Sequence, residues 1–74
     1  MLAKERFAAN LRRLRGEAGL TQMQLGNLCD LSHSVISRYE RAQRDPQLEA
    51  VAALARGLGV PAAALVEGIP NTTS

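Results

Sequence analysis

An arginine and three smaller polar residues share one side of the segment 32–42. In helical geometry their apolar neighbours form an inward stripe, which consists of Val35, Ile36 and Tyr39. The outward set consists of His33, Ser34, Ser37 and Arg38. A guanidinium such as that of Arg38 can donate two parallel hydrogen bonds to a planar pair of acceptors, for example O6 and N7 of guanine. We expect these outward residues to face a ligand.

Two N-terminal caps place this segment directly after another short helix. Thr21 and Gln24 are spaced as a capping box, in which each side chain bonds the backbone N–H of the other residue, so a helix begins at Thr21. Ser32 offers a second N-cap one tight turn after that helix ends. Two short amphipathic helices joined in this way are typical of a helix-turn-helix that reads the major groove of DNA.

Five helices account for the hydrophobic pattern of this 74-residue chain. Hydrophobic residues make up 46% of the chain but aromatic ones only 3%, which favours short helices packed through aliphatic side chains over a sheet. The predicted helices cover about 3–18, 21–30, 32–42, 47–58 and 61–67. Their predicted buried stripes include Phe7, Leu11 and Leu14, then Leu25, Leu28 and Cys29, then Leu48, Val51, Leu54 and Leu58. We predict one all-α domain over 1–67 and a flexible tail over 68–74.

The charge of the chain is unevenly distributed. Residues 1–44 carry eight basic and four acidic side chains, a net +4, whereas residues 45–74 carry one basic and three acidic side chains, a net −2. A solvated face is one explanation for such arginines. Because the basic half is also the half with the helix-turn-helix, a phosphate-binding surface is the better explanation.

Few residues could support catalysis or bind a metal. Cys29 and His33 are four residues apart and could supply half of a metal site, but a structural zinc needs four ligands and the chain has one Cys and one His. With no Gly-rich phosphate loop and no nucleophile beside a convincing base, we predict neither an enzyme nor a cofactor. No apolar run is long enough for a membrane span or a signal peptide, so we expect a cytoplasmic protein that does not contact a membrane.

Four short motifs resemble a known family. In order they are GLTQxxL, LSxSxISRYER, RDP and LAxxLGV. They resemble the Cro/repressor-type (XRE-like) helix-turn-helix family over about residues 11–65, which implies a compact, five-helix, lambda-repressor-like DNA-binding domain. In length the chain is similar to small Cro repressors and to controller proteins of restriction–modification systems.

The resemblance implies roles for individual residues. Base-edge contacts are implied for His33, Ser34, Ser37 and Arg38, of which Ser37 could also reach a phosphate. Phosphate contacts are implied for Thr21, Gln22, Arg41, Gln43 and Arg44. Gln22 would also contact the start of the predicted helix 32–42, which the resemblance implies is the recognition helix. For Gln22 simple helix-start chemistry is an alternative, and for Arg44 an ordinary surface position. An ion pair is implied between Arg15 and Glu40.

Two positions depart from the family pattern. Ala42 stands where a glycine commonly follows the recognition helix, so a left-handed backbone there would be strained. Gly26 stands where another small residue is usual, and still permits the close approach of helices 2 and 3.

The resemblance predicts a transcription regulator that binds double-stranded DNA sequence-specifically, as a homodimer on a palindromic operator. The predicted dimer interface consists of Leu65, Val66 and Ile69. Leu65 can also complete the core, so Val66 and Ile69 would be left largely exposed for a partner to cover, unless they fold back onto their own core. RNA polymerase would be a further partner if the protein is an activator. The alternative function is an antitoxin-like module that binds a partner protein, although such a helix would more often show apolar anchors on its outward face.

Overall fold

The computed structural model describes residues 2–69, which form five α-helices and no strand. The helices are α1 (Ala3–Glu17), α2 (Gln22–Cys29), α3 (His33–Glu40), α4 (Leu48–Leu58) and α5 (Ala62–Leu65). The predicted all-α, five-helix fold is confirmed. Several helices are shorter than predicted, because residues such as Thr21 and Ser32 are caps with extended backbone and lie just outside the helices.

One core joins the five helices. Its fully buried members are Phe7, Leu11, Leu25, Ile36, Tyr39, Leu54 and Leu65. The rings of Phe7 on α1 and Tyr39 on α3 meet edge to face, with centroids 5.5 Å apart, an arrangement that aromatic pairs favour. The two helices are therefore packed together at the middle of the core.

Two leucines predicted to be buried are exposed, Leu28 by 59% and Leu48 by 84%. On α2, Leu25 and Cys29 define the buried stripe, and Leu28 lies roughly a quarter turn away from it at 3.6 residues per turn. Leu48 is displaced by a similar angle from the buried residues of α4, which centre on Val51 and Leu54. Leu58 at the end of α4 is half-buried against the core.

Cys29 and Gly57 mark the closest approach of α2 and α4. A Cβ atom at Gly57 would overlap the Sγ atom of Cys29, so only glycine fits without a shift of one helix. Cys29 is 7% exposed, and its burial raises the pKa of the thiol. The cysteine acts here as a small core side chain.

The segment after α5 is fastened to α1. Asn10 is buried, and its Nδ2 donates to the carbonyl oxygens of Leu65 at 2.8 Å and of Glu67 at 2.9 Å. Ile69 packs partly buried against the core, and its N–H donates to the Val66 carbonyl at 3.1 Å. Residues 70–74 of the predicted tail lie outside the described residues.

Candidate nucleic-acid interface

Local capping determines where α2 and α3 begin. The Thr21 hydroxyl accepts from the Gln24 N–H at 3.0 Å, and Gln24 Oε1 accepts from the Thr21 N–H at 2.9 Å, so the predicted capping box is present. The Ser32 hydroxyl accepts from the Val35 N–H at 3.2 Å. Each cap satisfies a backbone donor that the first helical turn leaves unpaired.

The turn between the two helices is tight because Gly26 has no side chain. The Leu31 N–H donates to the Gly26 carbonyl at 2.9 Å, and a Cβ at Gly26 would lie 2.5 Å from the Leu31 carbonyl oxygen. Asp30 ends α2 in the left-handed conformation, with a φ of 58°. The close approach expected at Gly26 is therefore present, and it is made with the turn itself.

The inward side of α3 is attached to the core. Ile36 and Tyr39 are buried, and Val35 is half-buried against the same cluster. Glu40 is also buried, with only 3% of its surface exposed. The stripe predicted from the sequence therefore holds α3 in place and turns its other side outward.

The outward side of α3 and the loop after it form one open concavity of about 250 Å³. It is lined by His33, Ser34, Ser37, Arg38, Arg41 and Gln43. These are all four predicted base-contacting residues and two of the predicted phosphate-contacting ones. No carboxylate lines the concavity, so it offers hydrogen-bond donors and positive charge to a ligand.

Glu40 connects α3 to α1. The Arg15 Nε donates to Glu40 Oε2 at 2.5 Å and Nη2 to Oε1 at 2.9 Å, a bidentate ion pair. The hydrogen bond with Glu40 is the main reason that the pKa of Arg15 lies above its ordinary value. Arg12 adds a donation from Nη1 to the Glu40 carbonyl, a contact that sequence reasoning missed. The only sign of this contact in the sequence is the three-residue spacing of Arg12 and Arg15, which places both side chains on one face of α1.

Gln22 also bonds to Glu40, at the end of α3 and not at its start as the resemblance implied. Its Nε2 donates to Glu40 Oε1 at 3.0 Å. An amide nitrogen carries two hydrogens, so one N–H of Gln22 is fixed by the carboxylate and the other stays available to a phosphate.

Arg41 and Arg44 have different surroundings. The Arg41 Nη2 donates to the Ser37 hydroxyl at 2.8 Å, on the outward side of α3. The Arg44 guanidinium carbon lies 5.6 Å from the centroid of the Tyr39 ring, a cation–π contact. Arg44 is thus held on an aromatic ring, and it is not among the residues that line the concavity.

Ala42 adopts the left-handed conformation, with a φ of 58°. Its N–H donates to the Tyr39 carbonyl at 3.1 Å and closes the turn that ends α3. The helix therefore ends at Glu40, two residues earlier than predicted. Ala42 thus adopts a backbone geometry typical of glycine, and this conformation is sterically unfavourable for alanine.

The three residues predicted to form a dimer interface differ in exposure. Leu65 is fully buried in the core and leaves no surface for a partner. Ile69 is packed partly buried against that core, and Val66 is 39% exposed. Val66 is therefore the member of this set that offers the most surface.

Exposed apolar side chains lie outside α3. The large ones within residues 2–69 are Leu2, Met23, Leu28, Leu48 and Val66.

None of the helices within residues 2–69 is long and apolar enough to cross a membrane. The same residues contain no cluster of three or more His, Cys, Asp or Glu side chains that could hold a metal ion.

Two capped helices joined by a tight turn, with the second presenting a polar side, define a helix-turn-helix domain. A sequence model of the helix-turn-helix domain family matches residues 6–67, and the chain belongs to this family. The chain is 37% identical over 60 residues to the cryptic phage CTXphi transcriptional repressor RstR of Vibrio cholerae. The matched region covers 81% of this chain and 54% of that protein. The chain therefore spans about half the length of this relative.

Solved structures of regulators share the fold. The restriction–modification controller protein C.AhdI from Aeromonas hydrophila superposes with a TM-score of 0.81 and 34% identity, over 84% of this chain and 94% of that one. The clp gene regulator ClgR from C. glutamicum superposes with a TM-score of 0.83 and 28% identity, over 88% of this chain and 84% of that one. The resemblance stated from the sequence motifs is confirmed.

Proposed function

We propose that this protein is a transcription regulator that binds double-stranded DNA sequence-specifically, with α3 in the major groove. The observation that carries the proposal is the concavity on the outward side of α3. Two arginines line this concavity, and no carboxylate lines it. Base edges in the major groove present acceptor pairs that a guanidinium recognises, and phosphates on either side add attraction to positive charge. The similarity to a phage repressor and to a controller protein supports regulation of transcription as the purpose of binding.

Base readout is assigned to the outward residues of α3. Arg38 is exposed and lines the concavity, so its guanidinium is free to donate to O6 and N7 of a guanine. His33 and Ser34 stand in the first turn of α3 and extend the same surface. These side chains read sequence because each presents donors or acceptors to a base edge.

Phosphate contacts are assigned to residues that flank this surface. Gln22 keeps one amide N–H after its bond to Glu40, and its position at the start of α2 adds unpaired backbone N–H groups. Arg44, held on the Tyr39 ring, supplies positive charge after α3, and Thr21 and Gln43 stand at either end of the motif. Such contacts fix the orientation of the protein and are the same for every sequence.

We further propose that the protein binds as a homodimer. The eight residues of α3 reach too few base pairs to specify one site, and a two-fold pair on a palindromic operator doubles the number of bases that are read. Val66, exposed just after α5, is the proposed centre of the pairing surface. The two recognition helices would then lie about 34 Å apart, one turn of DNA.

Selection of bound DNA from a random pool, followed by titration of Arg38→Ala against the selected and a random duplex, tests this function. We expect Arg38→Ala to weaken binding to the selected duplex by about 1–3 kcal/mol per half-site and to change binding to random DNA little. Arg56→Ala, which removes the same charge from α4, is the control. If the wild-type protein enriches no sequence from the pool, the proposed function is wrong.

A further inference from the structure

Arg41 is tied twice to the same residue one turn earlier. Its backbone N–H donates to the Ser37 carbonyl at 3.0 Å, and its guanidinium donates to the Ser37 hydroxyl at 2.8 Å. A side chain that follows its own helix back in this way points along the outward side of α3. Arg41 therefore presents its remaining guanidinium donors beside the residues that face the groove.

Arg38 and Arg41 line the same concavity. The two positions are three residues apart, which corresponds to about 4.5 Å of helix rise. Successive base pairs are about 3.4 Å apart along a strand, a step similar to the separation of these two backbone positions, so their long side chains can reach neighbouring base pairs. Both groups are donor-only, and a ligand that satisfies both must offer two sets of acceptors.

The link to Ser37 orients the Arg41 guanidinium on the outward side of α3. Base readout depends on that orientation, because O6 and N7 of a guanine accept two parallel hydrogen bonds from one guanidinium plane. Ordering a long side chain before binding also lowers the entropy lost in the complex. Arg44 lies against the Tyr39 ring and is not among the residues that line the concavity.

We propose that Arg41 is a second base-reading residue, oriented by Ser37, and that each half-site contains two guanines in neighbouring base pairs, one for Arg38 and one for Arg41. This inference rests on the proposed function, because it assumes that α3 lies in the major groove. It replaces the phosphate role that the family resemblance implied for Arg41, and it makes Ser37 a positioning residue.

DNA selection with the wild-type protein and with Arg38→Ala, Arg41→Ala, Ser37→Ala and Ser37→Thr tests the proposal. We expect two guanines in the wild-type half-site, with Arg38→Ala losing the preference at one and Arg41→Ala at the other. Arg41→Ala should weaken binding to the selected duplex by about 5- to 150-fold per half-site, and binding to random DNA much less. Ser37→Ala should relax the same position as Arg41→Ala, and Ser37→Thr, which keeps the hydroxyl, should restore it.

Replacing the guanine assigned to Arg41 by 7-deazaguanine removes the N7 acceptor and gives a second readout. The replacement should weaken binding by the wild-type protein and by Arg38→Ala, but add little to the loss already caused by Arg41→Ala. An equal loss on selected and random DNA for Arg41→Ala, or no loss at all, would overturn the inference while leaving the proposed function standing. A wild-type protein that selects no sequence would instead refute the proposed function itself.

Discussion

Glu40 accepts both hydrogen bonds of a bidentate pair from Arg15, at 2.5 and 2.9 Å, and a third from Gln22 at 3.0 Å. The Glu40 side chain is 3% exposed, whereas that of Arg15 is 23% exposed. One carboxylate thus joins α1, the start of α2 and the end of α3. Its removal would leave the Arg15 guanidinium without its anion in a partly desolvated place.

We expect Glu40→Ala to lower the free energy of unfolding by about 3 kcal/mol, the lower end of the range for breaking a buried pair, because Arg15 retains some contact with water. For a domain of this size the melting temperature should fall by more than about 10 °C. Glu17→Ala is the matched control, since Glu17 pairs with Arg13 at 3.7 Å on the exposed surface of α1. That control should cost less than about 0.5 kcal/mol. Equal melting temperatures for the two variants would show that the Glu40 network is unimportant for stability.

Gly57→Ala should destabilise the packing of α2 on α4. The new methyl group would overlap Cys29 Sγ, and overpacking of this kind costs about 1–3 kcal/mol, which exceeds the gain of up to about 1 kcal/mol from replacing a helical glycine. In the Cys29→Ala background the sulfur is absent, so Gly57→Ala should become neutral or stabilising. Chemical denaturation of the four proteins of this double-mutant cycle measures the coupling. If the two substitutions have additive effects on the free energy of unfolding, the steric conflict does not involve the Cys29 sulfur.

Ala42→Gly should stabilise the protein. An alanine with a φ of 58° pays a steric cost that glycine avoids, and this relief outweighs the extra entropy of the unfolded glycine chain, with a net gain of about 0.5–1 kcal/mol. Ala18→Gly is the control, because Ala18 likewise directly follows a helix but has an ordinary φ of −80°. Thermal unfolding should shift upward for the first variant and downward for the second. A downward shift for both would show that the backbone at Ala42 is not strained.

Val66→Asp should weaken self-association if the pairing surface lies after α5. A carboxylate on each protomer would face its symmetry mate, so analytical ultracentrifugation should show a smaller fraction of dimer, and operator affinity should fall with it. Leu48→Asp, at an even more exposed leucine on α4, is the control for the loss of a surface apolar group. If Leu48→Asp dissociates dimers and Val66→Asp does not, the interface lies at the start of α4.

Features with local causes could be predicted from the sequence. The capping box at Thr21 and the N-cap at Ser32 depend on side chains within three residues, and both are present. Gly19 and Gly59, which follow α1 and α4, have φ values of 72° and 70°, the left-handed backbone that glycine commonly adopts after a helix. The inward and outward sides of α3 also followed from its own periodicity.

Features that depend on neighbouring helices could not be predicted in the same way. Leu28 and Leu48 are compatible with a buried stripe, and only the rotation of each helix against its neighbours decides that they are exposed. Gly57 faces Cys29 through a tertiary contact with no local signal. The link between Ser37 and Arg41 depends on side-chain rotamers, which a sequence pattern does not contain.

The division of α3 into an anchored side and an outward side has a consequence for how target preference can evolve. Ile36, Tyr39 and Glu40 attach the helix to the rest of the domain, whereas His33, Ser34 and Arg38 are exposed. Substitutions in the exposed set leave the anchoring contacts in place and change stability little. If α3 reads DNA as proposed, exchanging a few surface side chains would therefore retarget this scaffold to a new operator, without rebuilding the fold that carries them.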